Sequence, residues 1–185
     1  MKLSVVIPTY KRDKFLLATL EELLHQEYDD YEIVVVSQSR VEDSNLSDFL
    51  KKNKDKIKYF EQLDKTGAVF NRNLGIQKAK GDIVLFLDDD IKPLSKDFLK
   101  NHVSNYEDRE IGAVAGRIEQ EDFPPTNERL KTGHITRTGK FITNFNSNKR
   151  QYVMGGISAN LSIRRDLLHR INGFDENYQR GMREE

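Results

Sequence analysis

The chain contains no cysteine, which excludes a disulfide framework, a thiolate metal site and a cysteine nucleophile together. Neither charge is in surplus, since 30 Lys plus Arg face 30 Asp plus Glu. No global field therefore recruits nucleic acid or an anionic membrane surface. Long hydrophobic runs are missing too: the first apolar stretch, Leu3 to Ile7, stops at Pro8. That is too short for a signal segment and far too short for a membrane span. A cytoplasmic protein without a transmembrane segment is the expectation. No G-x-G-x-x-G follows the first strand and no G-x-x-x-x-G-K-S/T occurs anywhere, so dinucleotide and P-loop readings lose their main support. The histidines, at 25, 102, 134 and 169, are too scattered for a recognisable metal motif, and core, cap or surface roles suit them better. Lys51, Lys52, Lys54, Lys56 and Lys58 form a basic run that reads as a solvated face. There is no repeat and no low-complexity tract.

What is present alternates. Short β-branched or aliphatic runs at Leu3 to Ile7, Glu32 to Val36, Ile57 to Phe60 and Ile83 to Leu87 predict strands. Between them, Lys14 to Gln26, the stretch around Leu46, Phe49 and Leu50, and Ala68 to Ala79 carry helical spacing. A further helix is expected over Lys96 to Tyr106 and a strand over Ala113 to Arg117. This order predicts an α/β layered sheet with right-handed crossovers, long enough at 185 residues to bury roughly 70% of its unfolded surface. From Glu119 to Arg150 the pattern breaks into a polar excursion with one candidate hairpin turning near Thr138-Gly139. It reads either as a cover over the site or as a disordered surface loop. Ile157 to Ile163 then predicts a strand, and Arg165 to Ile171 a short helix ended by Gly173.

The chemistry is expected at the carboxyl ends of the strands. Strand four runs straight into Asp88, Asp89 and Asp90. Three adjacent carboxylates at the lip of a buried strand repel one another and are costly to desolvate without a partner. A divalent cation removes that problem, because Mg²⁺ is commonly held by one or two carboxylates plus substrate phosphates. If the chain stays extended, Asp88 and Asp90 share a side and Asp89 faces the other. A solvated acidic turn is the plainer alternative. Arg72 falls in the helical stripe of Val69, Ile76 and Ala79, pointing toward the sheet. It meets a phosphate or an aspartate there, or it snorkels to solvent.

Read together, SVVIPTYKR, EIVVVS, GAVFNRNLGIQKAKGDIVLFLDDD, MGGISANLSIRRDLLHRINGFDENY and a closing REE resemble the family-2 glycosyltransferases, over nearly the whole chain. The resemblance implies the GT-A fold, a mostly parallel sheet flanked by helices, as one domain over 1–185. Its halves would be a nucleotide-binding part, 1–117, and an acceptor part, 118–185, with the loop 119–150. It implies nucleotide contacts at Pro8, Thr9, Tyr10, Arg12 and Arg72. Asp88 is expected near the ribose, Asp89 beside it, and Asp90 holding Mg²⁺ or Mn²⁺ against the diphosphate. Gly155, Gly156 and Asn160 would line the sugar and acceptor pocket, although the glycine pair reads equally as a tight turn or bulge. Inverting members carry an acidic pair shortly after a G-F-D-E block. Here Gly173-Phe174-Asp175-Glu176 is followed by Glu184 and Glu185, candidates for the general base or a frayed, solvated end.

The sequence departs from the pattern at two places. Many members have Asp-Asp-Gly-Ser after strand two, where this chain has Ser37-Gln38-Ser39-Arg40. Gln38 still offers a donor and an acceptor to a uracil or guanine edge. The chain also stops where members usually continue, so a truncated domain is the expectation. The implied reaction is metal-dependent inverting transfer from a UDP- or GDP-sugar to a hydroxyl acceptor, a saccharide or lipid-linked saccharide. Two alternatives compete: a non-catalytic nucleotide-sugar-binding module, and an aspartate-nucleophile phosphohydrolase, whose D-x-D belongs on the first strand instead of the fourth.

Overall fold

Leu3–Thr9 (β1), Tyr31–Ser37 (β2) and Ile83–Leu87 (β4) are buried at every position. Unbroken burial means that both faces of each strand are covered, the condition of parallel strands between two helical layers. The computed structural model describes residues 1–120 and 131–177. Completing the sheet are Ile57–Glu61 (β3), Ala113–Ala115 (β5) and Asn160–Arg164 (β8), in the order β3-β2-β1-β4-β8-β5. β1 pairs in parallel with β2 and β4, and β2 with β3. β8 runs antiparallel between β4 and β5, so the sheet is mostly parallel, as expected. The strand expected over Ile157 to Ile163 begins pairing only at Asn160.

Side chains alternate between the faces with the strand period of two. Leu3, Val5 and Ile7 pack with Leu16, Leu20 and Leu23 of α1 (Asp13–Leu24), in a cluster that also takes in Leu46 of α2 (Ser44–Lys52) and Leu99 of α4 (Phe98–Ser104). Val6, Val34, Val84 and Phe86 face the other way, toward Ile76 of α3 (Ala68–Lys78) and Leu168 of α5 (Arg165–Arg170). Gly75 explains how closely α3 approaches: a Cβ there would overlap Val6 Cγ1. The helix tolerates an interior glycine because the contact sets its backbone against β1, with Arg72 one turn earlier over the carboxyl end of the sheet.

Within the long excursion, His134–Ile135 (β6) and Phe141–Ile142 (β7) form the expected hairpin, with Gly139 at a φ of +81° in its turn. Its continuation returns to the body of the fold, where Ile118 N–H donates to Phe145 O at 3.0 Å and the Phe145 ring is buried. Among the described residues no helix is long and apolar enough to cross a membrane.

Candidate active site

The chain leaves β1 toward β2 and β3 on one side, then returns past β1 to place β4 on the other. Strand order therefore reverses between β1 and β4, the position where open α/β sheets bind ligands. The β1–β4 register ends at Val6 with Phe86, yet β1 continues through Pro8 to Thr9 and β4 to Leu87. The pairing between the two strands thus stops short of their carboxyl ends, and the three aspartates follow directly after β4.

Their mutual repulsion is answered by two arginines and a threonine. Thr9 Oγ1 donates to Asp89 Oδ2 at 2.6 Å. Arg12 lies 3.0 Å through Nη1 from Asp89 Oδ1 and donates through Nη2 to Asp90 Oδ2 at 2.6 Å. Arg72 Nη2 is 3.2 Å from Asp88 Oδ1. Thr19, buried in the apolar stripe of α1, donates to the backbone oxygens of Asp89 at 2.8 Å and Ile91 at 3.1 Å and holds the turn in place. An extended run through Asp90 does not form: the strand ends at Leu87 and Asp89-Asp90 turn. Asp89 and Asp90 consequently share Arg12, while Asp88 goes to Arg72. Asp89 is 4% exposed; burial raises its pKa, the Thr9 bond and the Arg12 charge pull it down, and Asp90 and Asp88 push it up again.

Arg72 is buried and paired, which rules out the snorkelling alternative. Three buried polar atoms at this end of the sheet lack a hydrogen-bond partner: Arg72 Nε, Gln38 Nε2 and Asn71 Oδ1. Asn71 is anchored by its other amide atom to Val36 O at 3.1 Å, and Gln38 by its backbone N–H to Thr9 O at 3.0 Å. Unpaired buried donors are costly, so Arg72 Nε and Gln38 Nε2 point to a polar ligand or ordered water beside α3 and β2. Tyr10 is half exposed, at the outer edge of the same end. Pro8 is buried within β1, opposite Val36.

Asp88 and Asp90 also line a cleft of about 1580 Å³, whose walls include Phe98, Phe145, Ile157 and Asn160. The described part of the long excursion thus contributes a wall. Asn160 is held by a buried relay. Its Nδ2 donates to Arg117 O at 3.0 Å, which leaves Oδ1 to accept from His102 Nε2–H at 2.8 Å. His102 Nδ1 then accepts from Ser162 Oγ at 2.9 Å, and Ser162 Oγ accepts from Tyr106 at 2.8 Å. Each assignment follows from the one before, since neutral imidazole has one donor and one acceptor. Burial lowers the His102 pKa to about 4. This relay and the Thr19 anchor escape a sequence reading. Their only signals are polar residues in otherwise apolar stripes.

The glycine pair does not line the cleft. A Cβ on Gly156 would come 2.8 Å from Leu161 Cδ1 and 3.0 Å from Ala115 Cβ, and one on Gly155 would press on the Phe141 ring. Both glycines allow close packing against Leu161, Ala115 and Phe141, while Asn160 lines the cleft. Glu184 and Glu185 lie outside the described residues.

Among the described residues no three His, Asp or Glu side chains converge as a metal cage. Asp88 and Asp90, partly exposed and on one cleft, suit a Mg²⁺ or Mn²⁺ that takes its other oxygens from a substrate and water. The donor set fits a substrate-bridged ion.

The glycosyl transferase family 2 profile matches residues 4–171. A Campylobacter jejuni GalNAc(5)-diNAcBac-PP-undecaprenol beta-1,3-glucosyltransferase is 38% identical over 96 residues, which cover 51% of this chain and 31% of that protein. Among solved structures, S. aureus TarS superposes with a TM-score of 0.72 at 22% identity over 98% of this chain and 52% of its own. The mannosyltransferase PcManGT from Pyrobaculum calidifontis, in complex with GDP-Man and Mn²⁺, gives 0.70 at 21% identity over 94% and 47%. The chain spans about half the length of these solved chains. The fold is GT-A, and the chain belongs to glycosyl transferase family 2.

Proposed function

We propose that this chain transfers a sugar from a nucleotide-diphosphate sugar to an acceptor hydroxyl, with inversion at the anomeric carbon. The observation that carries the reading is the arginine–aspartate cluster at the β1–β4 switch point, flanked by unpaired Arg72 and Gln38 donors. In this reading the nucleotide occupies the side formed by Thr9, Tyr10, Gln38 and Arg72, with Gln38 hydrogen-bonding a uracil or guanine edge. Residues 1–117 supply this donor half and residues 118–185 the acceptor half. Neighbours of the same fold that carry GDP-Man with Mn²⁺ or UDP-GlcNAc support a nucleotide-sugar donor. The acceptor, a saccharide or lipid-linked saccharide, occupies the cleft walled by Phe98, Phe145 and Asn160.

Asp90, with Asp88 near the ribose, would hold Mg²⁺ or Mn²⁺, and that ion would supply positive charge to the departing diphosphate. Arg72 adds a fixed guanidinium on the same side. Asp89, buried under Thr9 and Arg12, positions Arg12 and the turn instead of touching donor. Glu185 or Glu184 takes the acceptor proton as the acceptor oxygen bonds to the anomeric carbon; the bond to the diphosphate oxygen breaks and its electron pair leaves with the diphosphate. The family match leaves no support for the phosphohydrolase alternative.

The test is calorimetric titration with UDP, GDP, CDP and dTDP, with and without Mn²⁺, followed by transfer assays with the sugar form of the best binder. Mn²⁺-dependent binding of one nucleotide and turnover support the proposal. Binding without turnover in any longer form of the protein favours a binding module, and no nucleotide binding overturns the reading.

A further inference from the structure

The even charge of the whole chain conceals a local excess. Although the chain holds 30 Asp plus Glu in 185 residues, the 25 residues from Lys131 to Gly155 contain neither, and they carry Lys131, Arg137, Lys140, Lys149 and Arg150. All five cations are exposed. Among the described residues none of them pairs with a carboxylate.

The same lobe exposes apolar side chains. Ile135, Phe141, Tyr152, Val153 and Met154 all face solvent, Tyr152 at 93% and Met154 at 64%, and none belongs to the two cores of the main sheet. The fold gathers them. Ile135 and Phe141 are direct partners across the β6–β7 pair and so project from one face of the hairpin. The returning segment is stitched to the start of β6, where Gly133 O accepts from Met154 N–H at 2.7 Å and from Gly155 N–H at 3.2 Å. Gly155 abuts the Phe141 ring, which a Cβ there would meet at 3.3 Å.

Charge and apolarity together select the occupant. A second copy would set five cations against five, and like-charge repulsion opposes that. A nucleic acid strand would satisfy the cations and stack on Tyr152 or Phe141, but it offers nothing apolar for Ile135, Val153 and Met154. An anionic bilayer supplies both: headgroup phosphates for Lys and Arg, the acyl boundary for the aliphatic side chains, and an interfacial zone that suits the amphipathic ring of Tyr. We propose that the lobe 131–155 docks this protein on an anionic lipid surface, with Tyr152 and Met154 entering at headgroup level.

Docking here bears on the site. The Phe141 and Phe145 rings are 6.2 Å apart, and Phe145 walls the cleft that Asp88 and Asp90 line. The docked face is therefore one ring away from that cleft. On the proposed transfer reaction, this favours an acceptor carried on a membrane lipid over a free saccharide. Docking is measured without turnover, so its failure and the failure of the transfer reading are distinct.

The experiment is co-sedimentation with vesicles of phosphatidylcholine alone and with vesicles of equal parts phosphatidylcholine and phosphatidylglycerol. The parent chain is expected to bind the anionic vesicles at least tenfold more strongly. That binding should fall at least tenfold between about 0.1 M and about 1 M salt, as the Debye length shrinks from about 10 Å to about 3 Å. Arg137→Glu with Lys140→Glu should lower partitioning at least tenfold, while Lys51→Glu with Lys52→Glu, the same charge change at the end of α2, should lower it less than threefold. Tyr152→Ser with Met154→Ser should cost at least threefold with charge unchanged. The chain has no tryptophan, so Tyr152→Trp introduces a single fluorophore, whose emission is expected to shift to the blue on anionic vesicles and not on single-stranded RNA. Equal binding to both vesicles, an equal loss in the Lys51 and Lys52 variant, or no blue shift on vesicles overturns the proposal, and a blue shift on RNA alone would make nucleic acid the occupant. Should a charge-reversal variant not fold, the Tyr152→Trp emission and the salt dependence of the parent give the same decision.

Discussion

Thr9 and Asp89, eighty residues apart, are joined by a buried hydrogen bond of 2.6 Å that ties the end of β1 to the turn after β4. Replacing Thr9 by Val leaves a buried carboxylate oxygen without that donor, at about 1–3 kcal/mol of stability; Thr9→Ser should recover most of it. The folded pKa of Asp89 is raised above its ordinary value. Its contribution to stability is therefore present at low pH and lost as pH rises through the folded pKa. Removing the Thr9 bond raises that pKa further, so the deficit of the Val variant should be larger at pH 7 than at pH 4. Urea unfolding at both pH values checks this.

Arg72 combines an ion pair to Asp88 with a buried, unpartnered Nε. Arg72→Ala is expected to weaken nucleotide diphosphate binding at least tenfold, about 1.4 kcal/mol. Arg72→Lys should recover less than half of that energy, because an ammonium cannot offer the planar fork of donors. Asp88 is partly exposed, so folding should be little affected. Calorimetry and the thermal midpoint measure the two effects.

Asp90 is the carboxylate proposed to hold the dication. Asp90→Ala should abolish the gain in nucleotide affinity that Mn²⁺ produces and leave the affinity without metal within about threefold, roughly 0.7 kcal/mol. Titration of nucleotide with Mn²⁺ and with EDTA reads both, and an undiminished Mn²⁺ effect would remove Asp90 from the metal site.

His102 is neutral in the fold, with its pKa lowered to about 4 by burial, against an unfolded value near 6.5. The unfolded chain binds the extra proton first as pH falls. Stability from this group is hence fully present above pH about 6.5 and declines toward pH 4, by about 3 kcal/mol in total. His102→Gln should flatten that slope relative to the parent, as read from urea midpoints between pH 4.5 and 7.

The strand and helix alternation, the position of three aspartates at a strand end and the inward direction of Arg72 were legible in the residues themselves. Each depends on a local period of 2.0 or 3.6 that a sequence displays directly. The family blocks could be read for the same reason, being ordered along the chain. Tertiary structure decided which charge meets which. Arg12 takes Asp89 and Asp90, and Arg72 takes Asp88, because the chain turns after Leu87 in a way strand periodicity does not encode. It also decided that Asn160 sits on a His102–Ser162–Tyr106 relay, since β8 enters antiparallel between β4 and β5. A period specifies the face a side chain takes. Its partner across 16, 58 or 80 residues depends on register and crossover, which exist only once the sheet has assembled.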